Sequence, residues 1–255
     1  MQPTKLAYLE DMHVLTSNAT VLEVGELEGR KYVVLDQTIL YAQGGGQPAD
    51  HGVIKSAAVT FDVGDVRFKD GVVYHFGEYR NLDSGSGAGM TGPLLFSVGD
   101  AVTIQVDGER RQLNKRLHSG AHVLDMVVAE MNLPWVPGKG YHFPDGPYVE
   151  YAGGLEGFDV EELKSKIEQR CNEIIASDLP TSTRFVDREE MGRLCRFVPE
   201  HLPEGKPTRV VLYGDFGVPC GGTHVAHLAE VGHESIRKIK HEKGVIKVGY
   251  DISRA

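Results

Sequence analysis

Two short segments hold residues that can do chemistry together. His118-Ser-Gly-Ala-His122 sets two imidazoles four residues apart, and Cys220-Gly-Gly-Thr-His224 sets a thiol and an imidazole at the same interval. On a helix, that interval projects both side chains from one face, one turn apart, as two ligands of one metal ion require. The adjacent glycines of the second segment disfavour a regular helix and suit a tight turn that brings sulfur and imidazole together. A set of three His and one Cys is borderline-soft and tetrahedral-capable, which suits Zn²⁺, one per chain, better than Mg²⁺ or Ca²⁺. With 11 His in 255 residues, either pair alone is weak, and the coincidence of the two carries the reading. The bland alternatives are a pair of surface histidines and a Cys220 that is a small buried hydrophobe. Ligands drawn from two distant segments would also tie that region together, so a structural zinc stands beside a catalytic one.

A third feature is Tyr41-Ala-Gln-Gly44-Gly45-Gly46-Gln47-Pro48-Ala49-Asp50. Successive glycines expose backbone N–H groups without side-chain cover, so a phosphate or carbonyl can approach closely. The run lacks the Gly-Lys-Ser/Thr ending of a P-loop and the spacing of a dinucleotide fingerprint. Its bland reading is a glycine-rich turn.

The elements that must position these residues divide into two regions. Up to about residue 109 the chain reads as short strands: Val21 to Val24, Lys31 to Leu35, Val59 to Val63, Gly71 to Phe76 and Ala101 to Val106, separated by turn residues. This spacing predicts a small β-barrel or sandwich, with the Gly/Ser-rich stretch Asp83 to Gly92 as a loop inserted in it. A boundary near 107 to 112 follows, giving domains 1–109 and 110–255. The second region opens with a helix from about Arg111 to Met131, on an apolar stripe of Leu113, Leu117, Ala121, Leu124, Val128 and Met131. Further helices are expected after Asp159 and Asp187, each an N-cap residue with Glu three positions on. Strands at Tyr148 to Tyr151, Thr183 to Val186, Arg209 to Tyr213 and Gly244 to Tyr250 interleave with the helices, which predicts an α+β domain with a mixed or antiparallel sheet.

Composition narrows the class further. Hydrophobic residues at 41% and charged residues at 25% exclude a disordered or collagenous chain. Three Cys are too few and too scattered for a disulfide framework, which points to a reducing compartment. No apolar run approaches the length of a membrane span, and the first residues carry no signal-like apolar stretch, so a cytoplasmic location and no membrane partner are expected. A net charge of −9 excludes a globally basic nucleic-acid coat. It leaves room for local basic segments. Arg110, Arg111, Lys115 and Arg116 against Glu109 give a net +3 at the start of the first helix. Arg237, Lys238 and Lys240 lie in a C-terminal stretch that is also net +3. Both are candidate phosphate contacts, with a solvated charged surface as the alternative.

Taken together the motifs are recognisable. Leu35-Asp-Gln-Thr38-Ile-Leu-Tyr41 followed by Gly44-Gly-Gly-Gln47-Pro-Ala-Asp50 resembles the glycine motif of the alanyl-tRNA synthetase editing region. The order glycine motif, His-x-x-x-His, Cys-Gly-Gly-Thr-His is similar to the AlaX family of alanyl-tRNA editing proteins, over nearly the whole chain and in its longer, barrel-bearing class. Lys139-Gly140 resembles the family's Lys-Gly element near the pocket. One departure is Ala121, where the family usually carries Thr before the second metal His. Any hydroxyl contact made by that Thr is lost here or supplied elsewhere.

The resemblance implies an N-terminal β-barrel followed by an editing domain of the threonyl/alanyl-tRNA synthetase second-additional-domain type. It implies hydrolysis of serine, and of glycine as a second candidate, from mischarged tRNA(Ala). No obligate protein partner is evident. Zinc at His118, His122, Cys220 and His224 would polarise the ester carbonyl, bind the substrate amino group or activate water. Four protein ligands equally describe a closed, organising site. Thr38, Gly44, Gly45, Gly46, Gln47, Lys139 and Gly140 are the expected substrate contacts, with the Thr38 hydroxyl reading the serine side chain. Two rival functions remain: threonyl-type editing of Ser-tRNA(Thr), and a non-catalytic tRNA-binding module with structural zinc.

Overall fold

A computed structural model describes residues 2–80, 95–199 and 207–253; the expected insertion Asp83 to Gly92 lies outside them. The chain forms two compact units. One comprises Met1–Gly44 and Pro48–Arg111, the other Gly45–Gln47 and Gln112–Ala255. The division thus falls two residues after the expected 109/110 step, and the last part of the glycine run packs with the second unit.

The first unit contains β1 (Lys5–Leu6), β2 (Thr16–Leu27), β3 (Arg30–Leu35), β4 (Gln37–Thr38), β5 (Gly52–Lys55), β6 (Thr60–Lys69), β7 (Val72–Arg80) and β8 (Ala101–Val106). Six of these close into a barrel in the order β2-β3-β7-β6-β5-β8, and β1 pairs with β4 beside it. Closure removes the exposed strand edges that an open sheet would leave. Inward residues Val21, Val33, Leu35, Ile54, Phe61, Val66, Val73 and Ile104 fill the interior. His75 and Thr38 are buried with them. His75 Nδ1 donates to the Val33 carbonyl at 2.9 Å, so its Nε2 is left as an acceptor, and the Thr38 hydroxyl donates to it at 2.9 Å.

The second unit holds most of α1 (Gly108–Glu130), then β9 (Val136–Tyr141), β10 (Tyr148–Ala152), α2 (Val160–Ala176), β11 (Thr181–Val186), α3 (Arg188–Leu194), β12 (Thr208–Tyr213), β13 (Phe216–Pro219), β14 (His233–Glu242) and β15 (Val245–Ser253). Two antiparallel sheets result, β14-β15-β10-β9 and β11-β12-β13. The architecture is therefore a barrel followed by an α+β unit, as the sequence predicts. Asp159 and Asp187 cap α2 and α3 through their carboxylates, accepting from Glu162 N and Glu190 N respectively. Leu163, Ile167, Cys171 and Ile174 of α2 are buried as their spacing predicts.

Helix α1 departs from a simple amphipathic pattern. Leu117, Ala121, Leu124 and Val128 enter the core, but so do the polar Asn114, His118, Ser119 and His122. Leu113, expected on the stripe, is 37% exposed. A helix surrounded on most of its circumference buries polar side chains where partners satisfy them, as for His118 and Ser119; the Asn114 amide, by contrast, has no hydrogen-bond partner among the described residues. No described helix is long and apolar enough to cross a membrane.

Candidate metal centre

The two predicted ligand pairs meet. His118 and His122 project from α1, and Cys220 and His224 from the loop that follows β13; one ligand atom from each lies within 4.8 Å of the others. Atoms bound to one tetrahedral zinc lie about 3.3–3.7 Å apart, so a small contraction would suffice. Cys220 Sγ is 3.4 Å from His118 Nε2. The loop turns through Gly222, where an added Cβ would sit 2.3 Å from His118 Cε1, so the glycine expected to permit a tight approach does so.

Each imidazole has one nitrogen assigned by its surroundings. Thr223 N donates to Gln47 Oε1 at 2.9 Å, which fixes that atom as the acceptor and leaves Gln47 Nε2 to donate to Thr223 Oγ1 at 2.9 Å. His118 Nδ1, 2.8 Å from the same Oε1, must therefore carry its proton. His122 Nδ1 lies 3.1 Å from the Asp125 carboxylate, which in turn accepts from Tyr151 Oη at 2.9 Å. His224 Nδ1 lies 2.9 Å from Tyr213 Oη, whose own hydrogen goes to Ser119 Oγ at 3.3 Å. Three histidines thus hold Nδ1–H outward and present Nε2 to a common point, the arrangement that outer partners impose on metal-ligating imidazoles.

Further observations bear on whether an ion fits. Among the described residues, His122 Nε2 is buried without a hydrogen-bond partner. Burial keeps His118 and His224 well below the ordinary imidazole range, with the neighbouring histidines and Arg209 adding to the shift. Burial would raise the Cys220 thiol, but His122, the Gly222 N–H and the Arg209 guanidinium outweigh it and hold it below its usual value. His122 is the exception: burial lowers it, but Asp125 and Cys220 outweigh that and push it up to about 9, so a metal, which requires neutral imidazoles and a thiolate, would displace its proton. The four residues can hold a metal ion.

The remaining expected residues separate. Gln47 is buried beside His118. Gly46 accepts from His142 N at 2.9 Å, and a Cβ on it would meet the Gly140 carbonyl oxygen at 2.3 Å. Gly45 and Gly46 both have positive φ, 53° and 79°. Gly44 belongs to the first unit and accepts from Tyr41 Oη at 2.8 Å. Lys139 is exposed on β9. Thr38, in the first unit, is fully buried and accepts from Leu40 N at 3.1 Å while donating to His75.

Among the basic residues, the structure corrects two expectations. Arg111 is 1% exposed and spends its guanidinium on Asp50 and on the Met12 and Ile39 carbonyls, so it has no donor to offer a phosphate. Lys115 is buried as well. Arg110 donates to the Ala49 carbonyl and Arg116 to those of Val231 and Ser253, and both stay partly accessible. Arg237, Lys238 and Lys240 are exposed on β14.

Spacing and composition did not single out His142, Tyr250, Tyr213, Tyr151 or Asp125. Asp125 alone carried a signal, three residues beyond His122 on the same helix face. His142 stacks on His118 with ring centroids 4.4 Å apart and planes 23° apart. Burial, with His122 adding to it, pushes its pKa down to about 3, so its ring is neutral.

Comparison with known proteins adds an independent line. The family described as class II (A) tRNA synthetases matches residues 6–130. The chain is 31% identical to an alanine–tRNA ligase of Caldivirga maquilingensis over 97% of its own length and 26% of the ligase. It is 32% identical to the alanyl-tRNA editing protein AlaX-L of Pyrococcus horikoshii over 88% of its length and 52% of that protein. An alanine–tRNA ligase of Halorubrum lacusprofundi is 30% identical over 92% of the chain and 24% of the ligase. The chain thus spans about a quarter of the length of the two ligases and about half of the editing protein.

Proposed function

Because the chain belongs to the family that holds the alanyl-tRNA editing protein AlaX-L and the alanine–tRNA ligases, we propose that it is a zinc-dependent aminoacyl-tRNA hydrolase. Its substrate is the ester of serine, and secondarily of glycine, on cytoplasmic tRNA(Ala). The carrying observation is the group of buried His118, His122 and His224 with the half-buried Cys220, each imidazole held so that Nε2 faces the others. Its donor set fits zinc. When bound, zinc supplies Lewis acidity toward an ester carbonyl or a water.

The chain's own residues supply the rest. An alanine-activating site rejects serine or glycine poorly, because one methyl or one small hydroxyl changes binding too little, and a second hydrolytic site removes the misfit. The ester is already activated, so positioning and polarisation suffice. Gly45 and Gly46 keep side chains away from the incoming ester, and Gln47 orients His118. Support comes from the end of the glycine run, where Gly46 and Gln47 touch His142 and His118 respectively. Lys139-Gly140 borders the same histidine. Arg110, Arg116, Arg237, Lys238 and Lys240 are the proposed phosphate contacts.

The test is deacylation of Ser-, Gly- and Ala-tRNA(Ala) and Ser-tRNA(Thr) side by side, with protein far below substrate. The proposal expects turnover of serine, sparing of alanine, and loss of activity in Cys220→Ala together with loss of about one equivalent of zinc. Four protein ligands favour one other reading, a binding module with a closed structural zinc. That module would protect the ester stoichiometrically and never turn it over. Preference for Ser-tRNA(Thr) would mark a threonyl-type editor.

A further inference from the structure

We propose that His142 is a specificity residue: its Nε2 accepts a hydrogen bond from the hydroxyl of the mischarged serine. The inference rests on the deacylase reading above and assigns within it the contact that separates serine from alanine.

His142 is 4% exposed and stacks on the predicted ligand His118. Its tautomer is set by a chain of donors. Tyr250 Oη donates to the Leu117 carbonyl at 2.8 Å, which uses its only hydrogen. His142 Nδ1, 3.0 Å from the same Tyr250 oxygen, must therefore be the donor in that pair. The lone pair consequently sits on Nε2, which takes part in no hydrogen bond among the described residues. Nε2 is thus the ring nitrogen of His142 left to accept from a ligand or from water.

Two glycines keep the approach to that nitrogen uncovered. A Cβ on Gly140 would lie 2.4 Å from His142 Nε2. One on Gly46 would lie 3.1 Å from the adjacent Cδ2 and 2.3 Å from the Gly140 carbonyl oxygen. The glycine run and the Lys139-Gly140 element thus meet at one edge of one imidazole. That edge offers an acceptor and no donor. A neutral O–H is a group that such an acceptor pairs with. Serine differs from alanine by one such group. A built acceptor that alanine leaves unpaired discriminates more strongly than an apolar pocket does.

The experiment compares wild type, His142→Phe and His142→Gln on Ser-tRNA(Ala) and Gly-tRNA(Ala), with zinc content measured in parallel. Phe keeps a ring over His118 and removes the acceptor, whereas Gln restores a side-chain oxygen at similar reach. Expected is a fall of about 10-fold or more for serine in the Phe variant, with glycine changed less than about 2-fold. The Gln variant should come back to within about 3-fold of wild type on serine. The serine-to-glycine ratio does not depend on the fraction of protein that folds or binds metal, so a weakened Phe variant still decides. An equal fall on both esters, an unchanged serine rate, or a Gln variant no better than Phe overturns the assignment. Should glycine turn over too slowly to measure, the Gln-against-Phe comparison on serine decides in its place. A wild type inactive on both esters overturns the deacylase reading instead, and this one with it.

Discussion

An imidazole that binds a metal through Nε2 must carry its proton on Nδ1, with an acceptor waiting for it. For His118 that acceptor is Gln47 Oε1, itself oriented by the Thr223 N–H. Gln47→Leu removes the acceptor at nearly constant size and lets the His118 ring take either tautomer. Loss of such an outer partner weakens metal binding by about 10- to 100-fold. Competition with a chromophoric chelator should show that weakening, while Gln47→Glu, which keeps an acceptor, stays closer to wild type. Equal zinc affinity in the Leu variant would reduce Gln47 to packing. The meeting of the four candidate ligands was legible, because a metal needs close pairs and close pairs show as spacing. Their supports were not. Spacing places Gln47 only at the rim of a glycine run and assigns no role to Tyr213, Tyr151 or His142, because each reaches its partner only through tertiary folding.

At the scale of elements, the first turn of α1 is anchored by one buried ion pair. Arg111 Nε donates to both oxygens of Asp50, and the rest of its guanidinium goes to the Met12 and Ile39 carbonyls. Asp50 also accepts from Tyr41 N at 2.7 Å, so the carboxylate braces the segment that leads into the glycine run. Removing one partner strands a buried charge, which costs about 3–5 kcal/mol. Asp50→Ala should therefore lower unfolding stability by about that amount in urea. Arg111→Ala should do the same, rather than weaken tRNA binding alone. A second barrel test is Thr38→Val, which leaves His75 Nε2 buried and unpaired and should cost about 1–3 kcal/mol. A Thr38→Val protein with unchanged melting but slower serine hydrolysis would restore the direct substrate role. The helices and most barrel strands were legible because caps and periodicity are local signals. The strands β9, β13 and β14 were not. Pro and Gly interrupt the first two, and a bulge between Ile236 and Lys238 shifts the alternation of β14, so its charges read as a basic surface run instead.

For the molecule as a whole, a net charge of −9 bears on the proposed binding of tRNA, a polyanion. Repulsion between net charges acts over a Debye length, about 8 Å at physiological salt, whereas a phosphate contact acts locally. Affinity must therefore come from a few cations held clear of the acidic bulk. With Arg111 and Lys115 buried, the exposed run on β14 is the better placed of the two basic segments. Arg237 in that run is partly engaged, donating to the Pro147 carbonyl at 2.6 Å and lying 3.4 Å from Asp251, whereas Lys238 and Lys240 point to solvent. Each phosphate neutralised contributes about −0.9 on a duplex, or about −0.7 on a single strand, to the slope of log affinity against log salt. The double variant Lys238→Ala/Lys240→Ala should accordingly flatten that slope by about 1.4 to 1.8 and weaken tRNA binding, leaving zinc content unchanged. Lys164→Ala/Lys166→Ala on α2 makes the same change in net charge elsewhere on the surface and should leave the slope alone. If both doubles flatten it equally, binding follows the charge of the whole molecule; if neither does, the phosphates are met by Arg110 and Arg116 at the start of α1.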